Sequence, residues 1–109
     1  MNDNSTKFNE LQARIEEAEH EGQPIVELIK EQIALLQESH DKFVEQALAM
    51  GYNLDNERVG DIVIQQYTAM KQLAQKVGLS TKEYDEKIKE TRIRIFGEIN
   101  YKRFFEADK

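Results

Sequence analysis

Cysteine is absent from this 109-residue chain, and proline occurs once, at Pro24. The first absence excludes disulfides, thiolate metal sites and a cysteine nucleophile. One proline and five glycines leave few breaks, which favours long helices over a sandwich of many short strands. No stretch approaches the roughly 20 apolar residues of a membrane span, so none is expected. Residues Met1 to Thr6 show no basic segment leading into an apolar run. No secretory leader is therefore expected, and a cytoplasmic setting is. Phosphate loops, dinucleotide fingerprints and serine-nucleophile elbows are missing as well.

What is present is charge, at 33% of residues, beside 39% apolar residues. The length suits one domain, residues 1–109, with a core of its own. The net charge of −6 is uneven. Residues 1–79 carry 7 Lys/Arg against 14 Asp/Glu, and residues 80–109 carry 8 against 7. An acidic chain is a poor general binder of nucleic acid, because phosphate contacts need clustered cations.

The apolar spacing predicts an all-α fold with four helices, at about 5–21, 24–50, 56–77 and 81–107. In the second helix Val26, Ile29, Ile33, Leu36, Phe43, Ala47 and Met50 recur in steps of three and four, with His40 in the one polar slot. Phe8, Leu11, Ile15 and Ala18 make a narrower stripe in the first helix, and Val59, Val63, Met70, Ala74 and Val77 line the third. Gly22, Gly51 and Gly78 are placed to stop helices one to three. Pro24 falls in the first turn of helix two, and Asp55 reads as the cap of helix three, with Leu54 and Val59 as its hydrophobic staple. Ser80 and Glu83 spell a capping box for helix four, with Leu79 and Tyr84 as staple. Short connections make neighbours antiparallel. The expected architecture is an antiparallel bundle of three long helices plus a shorter N-terminal one, with helix two as scaffold for the rest. Helices two and four would each be about 40 Å long.

Helix four carries more apolar surface than one face can hold. Tyr84, Ile88, Ile95 and Ile99 line one side, while Ile93, Gly97, Tyr101 and Phe104 fall nearly opposite, flanked by Phe96 and Phe105. Either the same chain covers this second stripe, or Ile93, Gly97, Tyr101, Phe104 and Phe105 form a partner interface. Arg92, Arg94, Lys102 and Arg103 would give it a basic rim, suited to an acidic partner or to a second copy.

The chemistry-bearing residues are few. Glu17 and His20 have the Glu-x-x-His spacing of di-iron bundles, but such a site needs two of these pairs and two more inward glutamates. No metal or cofactor is expected. Asp55, Glu57 and Asp61 are accounted for by a helix N-terminus, which favours carboxylates. Ser39, His40 and Asp41 match a catalytic triad in type only, since consecutive helical residues point about 100° apart. His40 reads as a polar seam residue satisfied across the bundle, with Gln66 as the expected partner. On that reading His40→Leu is neutral or stabilising. The alternative for His40 is a pH-responsive role.

The expected function is that of a non-enzymatic protein–protein interaction module, an adaptor, chaperone-like or regulatory partner, acting as a homodimer or bound to another protein. The alternative is a nucleic-acid-associated regulator using the cation-rich last helix. Along that helix, however, Lys87, Lys89, Arg92 and Arg94 alternate with Glu86 and Glu90, as on a solvated face.

Overall fold

The computed structural model describes residues 3–106 and is all-α. Its elements are α1 (Asp3–His20), α2 (Val26–Ala49), α3 (Glu57–Lys76), α4 (Lys82–Phe96), α5 (Glu98–Tyr101) and a closing π-helical turn (Lys102–Glu106). Helices α1 to α3 end alike. The chain turns at Gly22, Gly51 and Gly78, and the N–H of the next residue bonds back to the carbonyl of Ala18 (2.8 Å), Ala47 (3.0 Å) or Ala74 (2.9 Å). Those bonds satisfy carbonyls that a helix end otherwise leaves open.

Three boundaries differ from the sequence expectation. Helix α2 starts at Val26, two residues beyond Pro24, with Ile25 at its cap position. Helix α3 is capped by Asn56, not Asp55: its side chain accepts from the N–H groups of Arg58 (2.9 Å) and Val59 (3.2 Å). Asp55 instead donates its N–H to Asn53 Oδ1 and belongs to the turn. Helix α4 starts at Lys82, after Thr81, with no side-chain cap bond. The Thr81 hydroxyl is drawn to Asp85 (3.3 Å), whose carboxylate also holds Lys71 of α3 at 2.6 Å.

The larger difference is at Gly97. The expected helix over 81–107 stops at Phe96, because Gly97 adopts φ 83°, ψ 156°. That region is open essentially to glycine alone, so the chain leaves the helix axis there. The 15-residue α4 is therefore about 22 Å long, not 40 Å.

Packing follows chain order. Helix α1 lies against α2, α2 against α3 and α3 against α4, while no Cα atoms of α1 and α3, α1 and α4, or α2 and α4 come within 8 Å. The antiparallel bundle is thus open. Helix α2 is not the scaffold of all the others, since α4 rests on α3 alone. A Cβ built at Gly60 of α3 overlaps Ile95 of α4, so the lack of a side chain at Gly60 sets the close approach of these two helices. The molecule is a slab of 49 × 39 × 15 Å with a radius of gyration of 16.3 Å. A compact chain of this length would have about 13 Å. A slab has much surface for its volume, and many apolar side chains are only half-buried.

Candidate functional site

Two regions at one end of the slab stand out. The antiparallel order places the end of α2, the start of α3 and the end of α4 together there, as the Gly60–Ile95 contact requires.

The first region is the C-terminal segment. After the break at Gly97 it folds back along α4, so the stripe Ile93, Gly97, Tyr101 and Phe104 is not a continuous helical face. Tyr101 is buried (8% exposed) and stacks on Phe105 at 5.3 Å between ring centres. Phe105 lies 5.8 Å from Phe96 and carries the Arg92 guanidinium 4.7 Å above its ring. Lys89 reaches the Tyr101 ring at 5.7 Å and the Glu106 carboxylate at 3.4 Å. Aromatic pairs and cations over rings each contribute up to about 1 kcal/mol at such partly exposed sites, enough to hold a short segment in place. Part of the second stripe is thus covered by the chain itself. Ile93 is half-buried and Gly97 is exposed at the break. Ile99 (84% exposed) and Phe104 (62% exposed) remain uncovered, and Phe105 is partly so.

The second region was not read from the sequence. Between the end of α2 and the start of α3 runs a concavity of about 420 Å³, walled by Phe43, Ala47, Met50, Tyr52, Val59 and Ile62. Its polar atoms come from Gln46, Asn56 and Arg58. The Arg58 side chain makes no ion pair among the described residues. Met50, Tyr52 and Ile62 are all exposed, as is neighbouring Leu48.

His40 lies elsewhere, buried between α2 and α3. Its Nδ1 is 2.6 Å from Gln66 Oε1, and the Tyr67 hydroxyl is 3.0 Å from its Nε2. The neutral imidazole with its proton on Nδ1 satisfies both contacts: Nδ1–H donates to Gln66 and Nε2 accepts from Tyr67. The two rings also tilt together at 4.6 Å. Burial, and then the charges of Asp41, Glu83 and Glu90, push the Tyr67 hydroxyl above its ordinary pKa, so it stays protonated and able to donate. Neither neighbour of His40 completes a triad. Ser39 Oγ accepts from Asn4 of α1, and Asp41 accepts from Gln37. Gln66 is thus the partner of His40 across the bundle, as expected, and the second bond, to Tyr67, argues against the expectation that leucine there is harmless.

The remaining charges are organised locally. Lys87 is near Glu90 (4.0 Å), Lys102 near Glu98 (3.5 Å) and Lys71 on Asp85. Glu17 and His20 are exposed on α1, and among the described residues no three His, Asp or Glu side chains are grouped to hold a metal ion. No described helix is long and apolar enough to cross a membrane.

Compared with protein-family models, with curated proteins and with solved structures, the chain matches none.

Proposed function

We propose that this protein is a non-enzymatic protein–protein interaction module that pairs with a second copy of itself through its C-terminal segment. The observation that carries the reading is the exposure of Ile99 and Phe104 on a segment the chain has otherwise folded and packed. Burying a side chain of this size gains about 1.5–3 kcal/mol, and a two-fold contact uses each residue twice. Arg103 adds a cation beside them with no ion-pair partner among the described residues, so an acidic stretch of the partner is favoured. The nucleic-acid alternative has less support, because Lys87, Lys89 and Lys102 are matched by carboxylates of the same chain.

Sedimentation velocity across a concentration series tests this. Wild type should show a monomer–dimer equilibrium, and Ile99→Glu with Phe104→Glu should be monomeric at every concentration. Tyr101 is left unchanged, since charging that buried ring would unseat the segment itself. A wild type that stays monomeric, or a dimer unmoved by both substitutions, overturns the reading.

A further inference from the structure

The face of α2 that seats α1 does not stop where α1 stops. Ile29, Gln32, Leu36, Ser39, Phe43, Gln46 and Met50 step along α2 by three and four, so they form one continuous stripe. Helix α1 covers the first part of it. Gln32 bonds to Gln12 at 3.1 Å, Leu36 shares a crevice with Phe8, and Ser39 meets Asn4 at 3.4 Å. Past Ser39 the same stripe becomes the wall of the concavity, at Phe43, Gln46 and Met50. What covers this track is therefore visible within the molecule: an amphipathic helix running antiparallel to α2, with apolar residues at the spacing of Phe8, Leu11 and Ile15.

We propose that the α2–α3 groove is a docking site for an amphipathic helix of a different protein, laid end to end with α1 on the same stripe of α2. From Ser39 to Met50 is eleven residues, or about 16 Å, so about three turns of helix fill it. A cavity of about 150 Å³ holds one benzene-sized group. The groove, at about 420 Å³, thus takes two to three apolar side chains, the number such a helix presents over that length. Arg58 stands at the wall without an ion-pair partner and selects a helix with a carboxylate beside its apolar stripe, as α1 itself has. The proposal extends the interaction reading to a second surface and names the partner's chemistry.

The probe is a fluorescein-labelled peptide with the sequence of residues 3–20, added to the intact protein. Saturable binding is expected, weakened about tenfold or more by Met50→Asp in the protein or Leu11→Asp in the peptide. Met50 is 73% exposed, so its substitution leaves the fold intact, and Arg58→Glu provides a second variant. With methyl-labelled methionine, the Met50 signal should shift on binding while that of Met70, which is fully buried, should not. No binding up to about 1 mM peptide overturns the proposal. So does binding that ignores Met50→Asp, which would place the peptide in the seat of α1. A wild-type dimer lost with Met50→Asp would give the groove to a second copy instead, which also overturns it. A monomeric wild type that binds the peptide sinks the self-association reading alone, whereas a dimer through Ile99 and Phe104 that ignores the peptide sinks the groove alone.

Discussion

Gln32→Leu should stabilise this protein, although it removes a hydrogen bond. Gln32 is completely buried (0% exposed) on the α2 stripe beneath α1. Its Nε2 donates to Gln12 at 3.1 Å, but its Oε1 is buried with no hydrogen-bond partner. An unsatisfied buried acceptor costs about 1–3 kcal/mol, while a made hydrogen bond contributes about 0.5–1.5 kcal/mol net. Gln12 accepts that bond through Oε1 on a half-buried side chain that water reaches, so losing Gln32 does not strand it, and its Nε2 keeps Glu16 at 3.3 Å. Leucine is one bond shorter but branched and of comparable volume, has equal or better helix propensity, and replaces an amide by apolar contact. The balance favours the variant by about 1 kcal/mol, or about 4–8 °C in melting temperature for a domain of this size. Urea unfolding followed by circular dichroism measures it, with an unchanged denaturant slope showing that the unfolded state is unaltered. Destabilisation by more than about 1 kcal/mol would refute the reasoning, because it would mean that Oε1 has a partner worth more than the cost of its burial.

Three further outcomes follow from the same structure. His40→Leu should destabilise by about 1–2 kcal/mol, as it strips the partner from Gln66 and from Tyr67; a double-mutant cycle with Tyr67→Phe should show coupling, and additivity would contradict the Tyr67 bond. Gly97→Ala should strain the break by about 1–3 kcal/mol and favour a helix running on through Tyr101, seen as more helical ellipticity with a lower melting temperature; no change in either would contradict the role given to Gly97. The hydrogen bond from Lys71, joined by that charge and by Thr81, holds the Asp85 carboxyl below its ordinary value of 3.8. A lowered carboxylate contributes stability above its unfolded pKa and loses it as pH falls through the folded one. Wild type should therefore exceed Asp85→Asn at pH 7 in low salt and converge on it in acid below pH 3.8; a gap that persists in acid would refute this.

The all-α fold and three of its helices were legible because each is written twice, in apolar period and in stop signals such as Gly22, Gly51 and Gly78. The misreadings share one cause: local signals that long-range contacts override. Periodicity runs unbroken through Gly97, since a glycine can sit in a helix or end one, and only the packing of Tyr101 and Phe105 back on Lys89, Arg92 and Phe96 of α4 selects the second. Ser80 reads as the cap of α4, but the helix starts after Thr81, whose hydroxyl is drawn to Asp85 of the same helix while Lys71 reaches that carboxylate from α3. Gln66 is the partner of His40 that the sequence suggests, but Tyr67 is not, because its hydroxyl leaves no mark on spacing. The groove was hidden by its own polar members. Ile29, Leu36, Phe43 and Met50 of the stripe toward α1 stand in the apolar series, but Gln32, Ser39 and Gln46 between them do not, so the period merges the two faces of α2 into one seam.

The central claim is that the uncovered C-terminal segment is a contact face, and hydrogen exchange of the intact protein at low and high concentration tests it most directly. Exchange reports local opening, which an interface suppresses where it forms. The account predicts that raising the concentration slows exchange in residues 97–106 and leaves residues 7–35 unchanged. Equal exchange at both concentrations, or protection confined to α1 and the first half of α2, would contradict it.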